Sequence, residues 1–178
     1  MRKILYHGSL EIISSPMYGQ GKVYNDYGQG FYCTESLELA KEWSCAERED
    51  GYVNQYEMDE TGLLILNLME KRYSVLHWLA ILMKYRKIRL SSAVMKRGRE
   101  WLLEHFLPDV DGYDVVIGYR ADDSYFSFAR AFVNNEISLA QLSYAMRLGK
   151  LGEQYVLKSQ KAFQAIHFLS YEGVDSVE

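Results

Sequence analysis

The alternation of apolar and polar residues divides the chain into short strands and amphipathic helices. The predicted strands are KILY (3–6), FYCT (31–34), VNQYEMD (53–59), LLILNL (63–68), DGYDVVIGY (111–119, a turn and then a buried strand), EQYVLKS (153–159) and AIHFLS (165–170). The three residues ETG between the third and fourth strands predict a hairpin.

Helical spacing of apolar residues separates these strands. It occurs in SLELAKEWSCAERED (36–50), YSVLHWLAILMKYRK (73–87), SSAVMKRGREWLLEHFLPD (91–109), ADDSYFSFARAFVNN (121–135) and SLAQLSYAMRLG (138–149). Ser36 stands at the N-cap position of the first helix. The second is apolar nearly all round, which predicts a buried helix. Trp43 and Trp78 are expected to pack in the core.

Short strands mixed with helices predict an α+β domain with an antiparallel or mixed sheet. The regular strand–helix alternation of a doubly wound sheet is missing. A chain of 178 residues fits one domain, 1–178. Within it, the helical stretch at about 72–108 is expected to be an insertion.

Composition narrows the class of protein further. Hydrophobic residues make up 48% of the chain and charged residues 25%, which excludes a disordered chain. The longest apolar run, VLHWLAILM (75–83), is far shorter than the about 20 residues needed to cross a bilayer. The start MRKILYHGS has no signal-peptide pattern, and neither Cys33 nor Cys45 has a ligand partner at metal-site spacing. We therefore expect a cytoplasmic protein without a metal.

The net charge is −4, but the basic residues are unevenly distributed. The segment 84–99 contains no acidic residue and seven of the 20 basic ones: Lys84, Arg86, Lys87, Arg89, Lys96, Arg97 and Arg99. Such a segment could contact nucleic-acid phosphates. A solvated helix face is the alternative explanation.

Three motifs carry residues suited to chemistry. They are YHGS (6–9), DYGQGFYCT (26–34) and GEQYVLKS (152–159), each at the start or end of a predicted strand. Together with the A-x-x-W helix at Ala40 and Trp43, their order and spacing resemble the ADP-ribosyltransferase superfamily, in the branch with His, Tyr and Glu on three strands. More closely, they resemble a little-characterised group of bacterial domains of unknown function. The resemblance runs from about Leu5 to about Leu169.

The resemblance implies a split antiparallel or mixed sheet around an NAD cleft, and transfer of ADP-ribose from NAD to a macromolecular acceptor. The acceptor, protein or nucleic acid, could be chosen by segment 84–99. The implied catalytic residues are His7, Tyr32 and Gln154. The implied NAD-contacting residues are Tyr6, His7, Gly8, Ser9, Tyr27, Gly30, Phe31, Tyr32 and Thr34.

The resemblance also implies a role for most of these residues. His7 would bond a 2′-hydroxyl of NAD, and the Gly8 backbone would pair with the nicotinamide carboxamide. Tyr32 would stack on the nicotinamide ring, with Tyr27 as a second aromatic wall. Thr34 and Ser9 would lie near a ribose. A glycine beside the ligand would let the backbone approach closely.

Gln154 departs from the better-known pattern, which has glutamate there, although the bacterial group has glutamine as well. A neutral amide cannot offset the positive charge of an oxocarbenium-like ribose or act as a base. Asp122, Asp123 and Glu153 are the other candidates for the missing carboxylate. Glu153 cannot simply replace Gln154, because successive strand residues point to opposite faces.

Other interpretations remain open. His7 and Tyr32 could be structural strand residues, Gln154 a polar residue at a strand edge, and the ADD motif an N-cap. The domain could bind NAD, nucleic acid or a protein without turnover. It could also be an interaction domain, such as one half of a toxin and antitoxin pair, that uses its basic segment.

Overall fold

The computed structural model describes residues 1–45, 49–121, 123–148 and 152–176. The strands are β1 (Arg2–Ser9), β2 (Phe31–Cys33), β3 (Gly51–Asp59), β4 (Ile65–Asn67), β5 (Val115–Tyr119), β6 (Glu153–Leu157) and β7 (Ile166–Val174). The helices are α1 (Leu37–Ser44), α2 (Val75–Tyr85), α3 (Ala93–Phe106), α4 (Asp123–Val133), α5 (Leu139–Leu148) and α6 (Gln160–Gln164). The predicted mixed α+β class is confirmed.

The strands form two sheets that touch at their edges. Sheet A has the order β1-β3-β7 and is antiparallel throughout. Sheet B has the order β2-β6-β5-β4, with only the β4–β5 pair parallel. The edge strands β1 and β2 meet at one bridge, where Tyr6 and Thr34 exchange backbone hydrogen bonds of 2.7 and 2.9 Å.

Successive side chains of β5 point to opposite faces of sheet B, and each face packs against a different part of the core. Val115 and Ile117 pack with Leu5, Tyr56 and other residues of sheet A. Val116, between them, packs instead with α2 and the neighbouring helices. Both faces of β5 are therefore buried, which explains the unbroken apolar run in its sequence.

Helix α2 anchors the helical layer to sheet B. Ser74 and His77 form a capping box at its start, so His77 is a cap residue. Trp78 is buried, as predicted, and its indole N–H donates to the Tyr119 carbonyl at 3.2 Å. The helices α2 and α3 of the expected insertion thus share one core with sheet B. No helix among the described residues is long and apolar enough to cross a membrane.

The predicted hairpin around ETG is wrong, because its two strands belong to different sheets. Strand β3 pairs with β1 and β7, whereas β4 pairs in parallel with β5. The chain turns at Gly62, where φ is +77°. The Asp114 carboxylate then accepts the Leu64 N–H at 2.7 Å, which directs the chain onto β5. A short turn motif alone does not distinguish a hairpin from such a corner between sheets.

Several element boundaries also differ from the prediction: β7 runs on to Val174, and α1 ends at Ser44. Strand β1 continues through His7, Gly8 and Ser9, because their partners on β3 extend equally far. Strand β6 ends at Leu157, and the next residues form α6, whose N-cap Ser159 accepts the Ala162 N–H. A five-residue helix is too short to show helical periodicity in the sequence.

Two glycines in the β3–β7 pair test how closely α1 approaches sheet A. A β-carbon on Gly51 would lie 1.7 Å from the Ser44 carbonyl oxygen, whereas a β-carbon on Gly173 meets nothing within 4 Å. Urea unfolding of Gly51→Ala is expected to show a loss of about 2 kcal/mol or more. Gly173→Ala should change the free energy of unfolding by about 0.5 kcal/mol or less. Equal effects would contradict the close contact.

Candidate functional site

A cleft of about 1210 Å³ opens where sheets A and B meet. Its walls come from the end of β1, the loop of residues 10–30, β2, α1, the residues that follow β5, and β6. The predicted site residues that line this cleft are His7, Gly8, Ser9, Gly30, Phe31, Tyr32 and Gln154. The fold therefore brings together three motifs that are distant in sequence.

His7 is held in one orientation by the neighbouring strand. Its Nδ1 lies 2.6 Å from the Tyr32 carbonyl oxygen. Because a carbonyl only accepts, Nδ1 carries the proton and Nε2 of the neutral ring is left as an acceptor. The imidazole also lies against the Phe31 ring, with centroids 4.3 Å apart. Burial lowers the pKa of His7, and the bond to Tyr32 opposes this shift only in part.

The Tyr32 ring is fixed through its hydroxyl group. That hydroxyl donates to the Gly28 carbonyl at 2.6 Å and accepts the Tyr27 N–H at 3.0 Å. Burial raises the pKa of the Tyr32 phenol, so the group stays protonated at neutral pH. The ring is thus an immobile aromatic wall and is unsuited to act as a base.

Gln154 lies on the same face of sheet B as Tyr32. Tyr32 pairs with Val156 across β2 and β6, and Gln154 is two residues from Val156. Its side chain is 94% buried, being only 6% exposed. The Oε1 atom is buried and has no hydrogen-bond partner among the described residues. A buried acceptor without a donor is costly, and a ligand hydroxyl or N–H in the cleft would satisfy it.

The glycine of the YHGS motif is explained by helix packing. A β-carbon on Gly8 would lie 2.1 Å from the Ala40 carbonyl oxygen, so only glycine lets α1 cross β1 here. The expected reason, close approach of a ligand, is not needed to explain the missing side chain. The backbone N–H and C=O of Gly8 point to the same strand edge as those of Tyr6, but the bridge to β2 pairs Tyr6 alone.

Three of the predicted NAD-contacting residues do not line the cleft. Tyr6 makes the backbone bridge to Thr34. Thr34 is buried, and its hydroxyl accepts the Ser36 N–H at 3.1 Å. Tyr27 is fully buried against Gly118 and donates to the Tyr119 carbonyl, so it forms no second wall of the cleft.

The sequence offered Glu153, Asp122 and Asp123 as candidates for a carboxylate at the site. Glu153 is exposed and points away from the face that carries Gln154. Asp122 and the Asp123 side chain lie outside the described residues. Asp26, which sequence reasoning missed, is buried and lines the cleft.

Asp26 connects three segments that surround the cleft. One carboxylate oxygen accepts from Arg86 at 2.9 Å, and the other accepts the Ala121 N–H at 2.8 Å. Burial raises the pKa of Asp26, although both of these contacts oppose the shift. The pair therefore fixes the loop of residues 10–30 to the end of α2 and to the segment after β5.

The basic segment 84–99 is only partly an open surface. Arg86 pairs with Asp26, Arg99 donates to the Met83 carbonyl, and the Lys87 ammonium lies 3.9 Å from the centroid of the Tyr24 ring. The exposed members are Lys84, Lys87, Arg89, Lys96 and Arg97. Part of the charge cluster thus stabilises the fold around the cleft.

Polar anchors hold both ends of the loop of residues 10–30. Asn54 is fully buried and bonds the backbone of Glu11 and Ile13, while the Tyr56 hydroxyl donates to the Ile13 carbonyl. At the other end, the Lys158 ammonium donates to the carbonyls of Tyr27 and Gln29. These contacts give the cleft a fixed rim.

Trp43 and Arg120 are further cleft residues that the sequence analysis missed. Trp43 was expected to be a core residue, but it is half-buried and its ring faces the cleft. The A-x-x-W motif was the available signal for Trp43. For Arg120, the signal was its position directly after the buried strand β5.

A family model described as "Protein of unknown function (DUF3990)" matches residues 3–168. The chain belongs to the DUF3990 family. No curated protein and no solved structure matches it. The expected membership in a family of unknown function is confirmed, and the DUF3990 match spans all three motifs that meet at the cleft.

The His7 geometry of this DUF3990 protein predicts an unusual titration. The imidazole should be the Nδ1–H tautomer and should protonate below the ordinary value of 6.5. The unfolded chain then binds the proton more readily, so the free energy of unfolding should fall as the pH drops below about 6.5. Nitrogen-detected NMR, with assignment by His7→Gln, measures both properties. An Nε2–H tautomer or a pKa above 6.5 would contradict this geometry.

Proposed function

We propose that this protein is an NAD-dependent ADP-ribosyltransferase that moves ADP-ribose to a macromolecular acceptor and releases nicotinamide. The observation that carries the proposal is the convergence of His7, Tyr32 and Gln154 on one cleft from three different strands. The split of the strands into two sheets around this cleft agrees with the superfamily resemblance. The cleft volume, about 1210 Å³, is large enough for a dinucleotide.

Each wall of the cleft suits one part of the nicotinamide riboside. The fixed Tyr32 ring offers an aromatic face for the nicotinamide ring. The N–H and C=O of Gly8 at the β1 edge match the donor and acceptor of a carboxamide. His7 Nε2 can accept a ribose hydroxyl, and the unpaired Gln154 Oε1 can accept another.

The proposed reaction breaks the bond between ribose C1′ and the nicotinamide nitrogen. The bonding electrons go to the pyridinium ring, so nicotinamide leaves neutral and the ribose becomes oxocarbenium-like. A nucleophilic oxygen or nitrogen of the acceptor then bonds C1′ and loses its proton to solvent. Gln154 holds the ribose through hydrogen bonds but adds no negative charge, which predicts a slow reaction.

Substitution of Gln154 tests this proposal in both directions. Gln154→Glu should raise nicotinamide release by about tenfold or more, because a carboxylate stabilises the positive ribose. Gln154→Ala should lower it by about tenfold, through loss of the hydrogen bond. Chromatographic quantification of nicotinamide, with labelled NAD to follow transfer to protein, RNA and DNA, gives both readouts.

Gln160→Ala, an exposed change on α6, serves as the control and should leave release unchanged. Folded protein that fails to bind NAD at millimolar concentration would refute the proposal.

A second candidate, NAD binding without turnover, is favoured by one specific feature. Gln154 is neutral, and the buried carboxylate of the cleft, Asp26, is already engaged by Arg86 and the Ala121 N–H. If wild-type protein binds NAD without releasing nicotinamide, this candidate replaces the first. Measurable release that Gln154→Ala abolishes would exclude it.

A further inference from the structure

Trp43 and Arg120 form a cluster of hydrogen-bond donors on one side of the cleft. The Arg120 guanidinium lies 5.3 Å from the centroid of the Trp43 ring, and both residues line the cleft. Trp43 comes from α1 and Arg120 directly follows β5, so two separate elements place them together. Stacking of the guanidinium on the indole limits its freedom and keeps its N–H groups at the cleft.

The indole N–H of this cluster has no partner in the described part of the chain. Nε1 of Trp43 is buried and donates no hydrogen bond there. Indole N–H and guanidinium groups can only donate. The cluster therefore lacks acceptors, and a ligand group rich in oxygen lone pairs would complete it.

Arg120 has no close ion pair among the described residues, in contrast to the other arginine of the cleft, and the Asp26 carboxylate acts on it only at longer range. The Arg120 partner Glu42 is 3.9 Å away and its side chain is 69% exposed, so solvent screens the pair. Arg86 instead bonds the buried Asp26 at 2.9 Å, which neutralises its charge. The guanidinium of Arg120 is thus the better placed of the two to attract an anion.

The cluster and the unpaired amide of Gln154 line the same cleft. Gln154 pairs with Gly118 across β5 and β6, and Arg120 is two residues beyond Gly118. Arg120 directly follows the end of β5, so the pairing of β5 with β6 brings it to the region of the cleft that Gln154 lines. A ligand with a ribose at Gln154 would carry its neighbouring phosphate toward Arg120.

We propose that Arg120 and the Trp43 indole N–H form a diphosphate subsite that binds the phosphate oxygens of a nucleoside diphosphate ligand. Where the ligand is NAD, this subsite rests on the proposed function. Bidentate contacts from a guanidinium and one neutral donor provide directional hydrogen bonds to the phosphate oxygens.

Calorimetric titration with ADP-ribose, adenosine and inorganic pyrophosphate tests the subsite directly. Arg120→Gln should weaken ADP-ribose and pyrophosphate binding about 10- to 100-fold and leave adenosine binding unchanged. Arg120→Lys, which keeps the charge but loses the fork of donors, should retain part of the affinity. Arg72→Gln removes an exposed charge that is not part of the cleft lining and should have no effect.

Two further variants separate the indole N–H and the counter-ion. Trp43→Phe keeps an aromatic ring but removes the N–H, and should weaken ADP-ribose binding about fivefold. Trp101→Phe, at an exposed tryptophan on α3, is its control. Glu42→Gln should strengthen pyrophosphate binding about twofold or more, because the carboxylate no longer competes for Arg120.

The outcomes distinguish this inference from the proposed function. NAD turnover with unchanged affinity for pyrophosphate and ADP-ribose in Arg120→Gln would overturn the subsite and leave the transferase intact. Arg120-dependent binding of ADP-ribose without nicotinamide release would support the subsite and refute the transferase. Folded wild-type protein that binds neither pyrophosphate nor ADP-ribose at millimolar concentration would overturn the subsite.

Discussion

The contact between the edges of β1 and β2 determines the geometry of the whole cleft. The two sheets are joined edge to edge by the Tyr6–Thr34 backbone bonds and by the bond from His7 to the Tyr32 carbonyl. Unpaired strand edges are unfavourable, and here each of the two edges covers the other. The described strands β1 and β2 pair at a single bridge, and the cleft is lined by residues on either side of it. The site is a direct result of how the sheets are joined.

Buried polar side chains then fix the loop of residues 10–30, which forms one wall of the cleft. Asn54 and Lys158 bond backbone groups of the loop of residues 10–30, and Asp26 of this loop bonds Arg86 and the Ala121 N–H. The adjacent Tyr27 donates its backbone N–H to the Tyr32 hydroxyl and accepts from Lys158 through its carbonyl. Loss of any one partner would leave the others buried without hydrogen bonds, which costs more than the bond itself contributes. Cleft shape and folding stability are therefore coupled.

Local periodicity predicted most elements. The order of the three motifs predicted that His7, Tyr32 and Gln154 line one cleft. Ser36 and Trp78 have the predicted roles because N-caps and apolar helix faces are local properties. The partner of a strand is not a local property, which is why the segment after Gly62 was assigned to the wrong sheet. The ion pair of Asp26 and Arg86 joins residues 60 positions apart, and no spacing rule connects them. Tyr27 and Trp43 were misassigned because an aromatic residue suits a core and a binding wall equally well.

The loop of residues 10–30 combines fixed ends with an apolar, solvent-exposed middle that includes Met17, Tyr18, Val23 and Tyr24. Its buried anchors act on residues 11–13 and 26–29, so the composition of the exposed middle can change with little effect on His7 or Tyr32. Surface loops tolerate such insertions and deletions at small thermodynamic cost. During evolution, this segment could diversify what docks at the mouth of the pocket while the buried chemistry stays constant.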